Sequence, residues 1–187
     1  MSHKGNRLIN IIAGTQVDIA PSKVTVKGPL GQLVVDYPAN LIKVEKVGND
    51  IKVSRVNDEK QTKMYHGTVN ANISNAIVGV NSGYKKELKI VGVGYKAAVT
   101  NGKLVLQMGF SHPVEFVIPE GLKVACPAPT QIDISGFNKI VVGEFAANVR
   151  AVRPPEPYKG KGIMYTNEHI IRKVGKTAEA TATSGKK

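Results

Sequence analysis

The residues of this chain that hold the most chemistry lie near its end, in Arg153-Pro-Pro-Glu-Pro-Tyr-Lys-Gly-Lys-Gly-Ile-Met-Tyr165. Three prolines stiffen such a stretch, Pro155 at their centre, into an extended arm that costs little entropy to order against a partner. Lys159, Gly160, Lys161 and Gly162 alternate cations with residues that have no side chain. Glycine lets backbone amides approach phosphate oxygens directly. Tyr158 and Tyr165 bracket the run, placed to stack on bases or riboses. Arg172, Lys173 and Lys176 continue the charge. In this pattern these residue types suit contacts to a polyanion. The fold's core is expected to lie before Pro154, with the arm outside it.

No catalytic constellation competes. The histidines His3, His66, His112 and His169 are scattered, without metal-ligand spacing. The single Cys126 excludes both a thiolate zinc cage and an internal disulfide, and fits a reducing compartment. Ser111 and His112 are neighbours in the turn Gly109–Pro113, where adjacent side chains are expected to point apart. They therefore read as turn and contact surface, not as nucleophile and base. Gly92-Val-Gly94 lacks the third glycine and the following helix of a dinucleotide loop. Neither catalytic residue, metal nor cofactor is expected.

Charge points the same way. The net charge of the 187 residues is +12, and Lys outnumbers Arg 21 to 5. Residues 1–82 carry 10 basic and 6 acidic groups, net +4, and residues 83–187 carry 16 and 8, net +8. The stretch Arg150–Lys187 alone holds 9 and 3, net +6, so half the excess sits in the last fifth of the chain. Such a field favours nucleic acid or an anionic surface. A preponderance of Lys suits point contacts to phosphate more than bidentate base reading, so the shape of a folded RNA is the expected target. No apolar run approaches the ~18–20 residues of a membrane helix. The N-terminal stretch is too short and polar for a signal peptide.

The elements that must position these groups form a repeat. A shift of 81 places Gly28 on Gly109, Pro38 on Pro119, Leu41 on Leu122, Ile51 on Ile132 and Ser54 on Ser135. After a five-residue deletion, Gly67-x-x-x-Ala71-Asn72-Ile73 falls on Gly143-x-x-x-Ala147-Asn148-Val149. Each copy opens with short β-branched runs in period-2 alternation, which predicts half-buried antiparallel strands. Asn101-Gly102 predicts a type I′ hairpin. Each copy then changes to helical period. Val69, Ile73, Ala76, Ile77 and Val80 form one stripe, entered by a capping box at Asp58 and Gln61 and ended by Gly79 and Gly83. Val141, Phe145, Val149 and Val152 form the other, stopped by Pro154. On a helical wheel Lys139, Ala146, Arg150 and Arg153 fall within about 60° of one another, opposite that stripe. Small Ala146 between cations would admit a phosphate backbone, although an ordinary solvated face has the same composition. The first helix offers Gly67, Asn70, Ala71, Ser74 and Asn75 on its outer face instead. The expected fold is α+β: two tandem homologous domains, 1–82 and 83–174, each a small antiparallel sheet with one helix packed on it. Residues 175–187 read as a flexible basic tail.

Pro154-Pro-Glu-Pro-Tyr-Lys-Gly-Lys-Gly-Ile163 resembles the C-terminal signature of the bacterial large-subunit ribosomal protein six family. Val26–Gly31 resembles that family's first-domain turn, Leu106–Val114 its second-domain turn, and Gly143-Glu-Phe-Ala-Ala147 the start of its second helix. The resemblance covers nearly the whole chain. It implies two homologous α+β domains, binding to 23S ribosomal RNA mainly through the second, and a place on the large subunit near the base of the factor-binding stalk and the sarcin–ricin region. It further implies neighbouring ribosomal proteins as partners, a cytoplasmic location on the ribosome, no enzymatic activity, no membrane and no homo-oligomer. Met164 and Ile171 stand where the family often has Arg, and Leu30 where it often has Lys, so no RNA contact is carried onto those three. The competing reading is a non-ribosomal basic adaptor that meets acidic partners.

Overall fold

The structure, a computed structural model, describes residues 5–176; the part of the expected tail from 177 onward lies outside the described residues. Its elements run β1 (Ile9–Asn10), β2 (Gln16–Ala20), β3 (Lys23–Gly28), β4 (Gly31–Asp36), β5 (Ile42–Val47), β6 (Asp50–Arg55) and α1 (Lys60–Ser82). They continue with β7 (Tyr84–Val91), β8 (Lys96–Thr100), β9 (Lys103–Gln107), β10 (Val114–Val117), β11 (Leu122–Ala128), β12 (Gln131–Gly136), α2 (Lys139–Val152) and β13 (Gly162–Tyr165).

The two halves share one topology. In the first, β2-β3-β4 form one sheet and β1-β6-β5 another, followed by α1. In the second, β8-β9-β10 form one sheet and β7-β12-β11 lie in the same order in another, followed by α2. The second copy then adds β13, antiparallel to β7, with Gly162 opposite Val91 and Tyr165 opposite Leu88. The fold is thus α+β with tandem repeats, as the alternation of the sequence predicts. Asn101 and Gly102 both take positive φ, 50° and 72°, and close the β8–β9 hairpin between Thr100 and Lys103.

Compactness divides the chain differently from the repeat. One unit comprises residues up to Lys86 with Ile118–Val124 and Ile134–Phe145; the other comprises Glu87–Val117, Ala125–Asp133 and the residues from Ala146 onward. In the first unit, Val24, Val26, Ile42, Ile51 and Val53 pack with the α1 stripe Val69, Ile73, Ala76, Ile77 and Val80, all buried. Full burial of a Val or Ile is worth roughly 1.5–3 kcal/mol, which holds the helix to its sheets. Gly83 caps α1 with φ 74° and donates its N–H to the Gly79 carbonyl.

Several local expectations are corrected. Gly79 does not end α1; it lies inside, where a Cβ would fall 2.1 Å from the Phe137 carbonyl oxygen. The helix therefore needs glycine for close approach, not for termination. No capping box forms. Glu59 occupies the N-cap without a side-chain bond, because the Asp58 carboxylate accepts from Arg55 Nε at 2.6 Å. Asn70 is not on an outer face. It is 4 % exposed, and its Nδ2 donates to the carbonyls of Gly5 and Arg7, tying down the chain's start. In α2 the buried residues are Val142, Phe145, Ala146 and Val149, a stripe rotated from the expected one.

Candidate nucleic-acid interface

The second unit is built outward from the end of α2. Arg150 lies in the last turn, where a cation complements the negative end of the helix dipole. Its guanidinium donates through Nε (2.9 Å) and Nη2 to the two oxygens of Glu168, and the Tyr165 N–H donates to the same carboxylate at 3.1 Å. The hydrogen bonds from Arg150, and then that of Tyr165, hold the Glu168 carboxyl below the usual range; the Glu168 bond raises Arg150. The Arg150 guanidinium also lies 5.8 Å from the centre of the Tyr165 ring. Arg150 thus fastens the chain after β13 and carries a neutralised charge. Arg153 is equally engaged. It donates to the Met108 carbonyl and lies 5.0 Å from the Tyr95 ring centre and 5.6 Å from that of Phe110.

Beyond Arg153 the backbone closes on itself. The Glu156 N–H donates to the Lys161 carbonyl (2.9 Å), and Gly160 N–H to the Glu156 carbonyl (3.1 Å). Ile163 N–H donates to the Arg153 carbonyl (2.8 Å), and Lys173 N–H to the Pro157 carbonyl (2.8 Å). The expected extended arm is instead a tied turn. Proline favours it by fixing φ, and strand pairing of β13 anchors its exit. The Gly160 amide is spent inside this turn and is not offered to phosphate. Gly162 is buried with φ 137°, and a Cβ there would meet the carbonyl oxygens of Pro154 at 2.6 Å and Arg153 at 2.8 Å. Ile163 is fully buried, so the core continues past Pro154.

This tie leaves a cationic rim. Lys159 and Lys161 project from the turn, and both are exposed. Arg172 lies against Gly160, its Nη2 3.4 Å from where a Cβ would stand. Lys173 is bonded through its backbone to the turn, and Lys176 follows; all three cations are exposed. Tyr158 is 56 % exposed on the same turn, while Pro155 is half-buried. Tyr165 departs from the expected stacking position, since β13 pairs it with β7 and Arg150 takes one face. Met164 is half-buried in β13, and Ile171 is 82 % exposed.

Four further residues of the expected site differ in kind. Lys139, in the first unit, donates to Asn75 Oδ1 at 3.1 Å and lies 5.5 Å from the Tyr84 ring centre. Asn138 caps the α2 start by accepting from Ile140 N–H at 3.0 Å. Ala146, expected between the cations on the outer face, is fully buried, so no phosphate can use it. Ser111 and His112 are exposed, and their side chains do meet, Oγ to Nδ1 at 3.3 Å. The bend at Gly109–Pro113 turns adjacent side chains together, which strand geometry would forbid. Among the described residues no group of three His, Cys, Asp or Glu could hold a metal, and no helix is long and apolar enough to cross a membrane.

The sequence reading missed three residues. Glu168 is the partner of Arg150, and its signal was only a carboxylate among cations. Phe110, 47 % exposed beside Arg153, sat inside the quoted turn as an aromatic without a core period. His66 is buried, its Nε2–H donating to the Val53 carbonyl (3.0 Å) and Nδ1 accepting from Arg55 (3.3 Å), a structural role.

Comparison with known proteins agrees with this architecture. A family model described as Ribosomal protein L6 matches twice, over residues 11–83 and 91–166. The chain is 55 % identical over 181 residues to the large ribosomal subunit protein uL6 of Malacoplasma penetrans (strain HF-2), covering 97 % of this chain and 99 % of that one. It is 53 % identical over 180 residues to the protein of that name from Listeria monocytogenes serotype 4a (strain HCC23), and 51 % over 178 residues to that of Spiroplasma citri, covering 96 % and 95 % of this chain and 100 % and 99 % of theirs. Two family matches, one on each repeat, and relatives above half identity along nearly the full length place the chain in the ribosomal protein L6 family.

Proposed function

We propose that this protein is a structural constituent of the large ribosomal subunit that binds 23S rRNA near the base of the factor-binding stalk, with no enzymatic step of its own. The observation that carries the reading is the set of exposed cations Lys159 and Lys161 on a tied turn in the second repeat, with Arg172 and Lys173 held against it and Lys176 following. Cations whose carrying backbone is already ordered lose little entropy when they meet phosphates. Residues 83–174 supply the main RNA surface, with Tyr158, Ser111 and His112 at its polar and aromatic edge. Arg150, Arg153, Gly160 and Gly162 shape that surface from within, and Pro155 and Tyr165 support it. Lys139 contributes a separate contact from the first unit. Neighbouring ribosomal proteins complete the environment of a single copy acting on the cytoplasmic ribosome.

The test is sedimentation of a lysate on a sucrose gradient at moderate salt, with binding of the full chain to a 23S rRNA fragment as its quantitative arm. Migration with large subunits, and a log–log salt slope of roughly −4 to −7 for some 5–8 phosphate contacts, are expected. A pool that stays at the top of the gradient supports the basic-adaptor reading instead, and a slope near zero means that stacking or apolar contact, not charge, carries the binding.

A further inference from the structure

Arg153 is held more elaborately than a phosphate-binding cation requires. Its guanidinium donates to the Met108 carbonyl and lies over both Tyr95 and Phe110. Gly109, at φ 77°, makes room for it: a Cβ there would stand 3.3 Å from Arg153 Nη1 and 3.2 Å from the Tyr95 ring. The Arg153 carbonyl in turn accepts from Ile163 N–H, so this cluster is continuous with the tied turn that bears Lys159 and Lys161. The result is a phenyl ring fixed in a bend and 47 % exposed to water. Ser111 and His112 stand exposed beside it, and no carboxylate lies between Gln107 and Val114. The nearest one onward, Glu115, is paired with Lys103 at 2.9 Å. The corresponding position of the first repeat, 81 residues earlier, is Pro29, and nothing there replaces the ring.

We propose that Phe110, oriented by Arg153, is a stacking platform for one unpaired base of the bound RNA, with Ser111 and His112 reaching its edge or ribose. An aromatic face backed by a guanidinium, with a hydroxyl and an imidazole exposed beside it, suits a nucleobase. A protein partner would look for several contiguous large apolar residues, and in the bend Phe110 has only Gly109, Ser111, His112 and Pro113 beside it. The inference rests on the RNA-binding reading above and adds a contact that charge does not supply.

The chain has no tryptophan, so Phe110→Trp introduces a single tryptophan at the platform, excited selectively over the six tyrosines at the red edge of the absorption band. Titration of this full-length variant with the 23S rRNA fragment should quench its emission. Phe110→Ala and Phe110→Leu should each weaken binding roughly tenfold to a hundredfold, the range of one lost base stack, while the log–log salt slope stays that of the parent. Leucine restores apolar volume without a π face, so a merely structural ring would be rescued by it; circular dichroism melting of each variant confirms the fold. If the parent chain fails to bind the fragment, the RNA reading itself falls. If the parent binds and Phe110→Ala or Phe110→Leu binds equally well, only the platform is overturned. Emission quenched in assembled subunits but not by the RNA fragment hands the ring to a neighbouring protein, and overturns it too.

Discussion

The two repeats share strand order and helix placement, yet they differ at one sheet edge. In the first, β1 is two residues long and ends the sheet β1-β6-β5. In the second, the equivalent β7 has eight residues, and β13 covers its outer side. An open edge is a hazard that proteins blunt by shortening it or by covering it. The first repeat takes the former course and the second the latter. The covering strand brings with it the turn from Pro154 to Lys161. What the second repeat adds to the shared plan is therefore also what carries the exposed Lys159 and Lys161. On the proposed reading, the duplicated architecture is a support and the binding chemistry sits on the appended piece.

The largest expected effect tests that the appended piece is integral. Gly162→Val places a branched side chain against the carbonyls of Arg153 and Pro154 at a φ that disfavours it. Overpacking and strain together predict a loss of roughly 2–4 kcal/mol, a fall in Tm of about 5–15 °C at ~2–4 °C per kcal/mol. Gly48→Val, at φ 62° with open space around it in the β5–β6 turn, costs only the strain of about 1–2 kcal/mol. Thermal melts of the two variants compare the repeats directly. A Gly162→Val protein that melts with the parent would mean that β13 is an ornament.

The next effect concerns binding. Lys159→Ala with Lys161→Ala removes two exposed cations from the tied turn, and should flatten the log–log salt slope by about 1.5–2 units. Lys43→Ala with Lys52→Ala removes two from exposed positions on β5 and β6 of the first repeat, and should leave both affinity and slope unchanged. Isothermal titration of full-length variants against the rRNA fragment at three salt concentrations measures both. Equal flattening by the two pairs would dissolve the distinction between the repeats.

How much of this was legible in the sequence follows the range of the interactions involved. Period-2 runs and the stripe Val69–Val80 act through neighbours one turn or one pleat away, so strands, α1 and the Asn101-Gly102 hairpin could be read directly. The repeat could be read because its turns and helix starts kept their glycines. Gly79, Asn70 and Ala146 could not, because none is decided by its sequence neighbours: the Phe137 carbonyl crowds the first, the Gly5 and Arg7 carbonyls hold the second, and the third faces the core side of α2. On a wheel at 100° per residue, Val141/Phe145/Val149/Val152 and Val142/Phe145/Ala146/Val149 are both acceptable stripes, and small size alone does not send alanine outward. β13 was hidden for the same reason. Gly-Ile-Met-Tyr is too short to declare itself a strand, and only the free edge of β7 makes it one. The cations of the site were legible by type, but which of them stay free depended on Glu168 and Met108.

The smallest expected effect separates two ion pairs, one in each repeat. Arg55–Asp58 and Arg150–Glu168 both join an arginine to a carboxylate, and both hold that carboxyl below its ordinary range, chiefly through the arginine hydrogen bond. Exposure differs: the Asp58 side chain is 73 % exposed and that of Glu168 is 24 %. Water screens the first pair, so Asp58→Asn should leave the melting temperature in place. Glu168→Gln removes a two-pronged, partly buried partner that also receives the Tyr165 amide, and should cost about 1 kcal/mol near neutral pH. Because the folded Glu168 carboxyl lies below the unfolded one, its contribution is complete above the ordinary glutamate value of about 4.3 and fades as the pH falls through the folded value. Melting curves of parent and Glu168→Gln should therefore converge in acid and separate by about 2–4 °C above pH 5. An equal shift from Asp58→Asn would show that burial does not distinguish the pairs. A Glu168→Gln difference that persisted in acid would assign the loss to packing and not to the charge of Glu168.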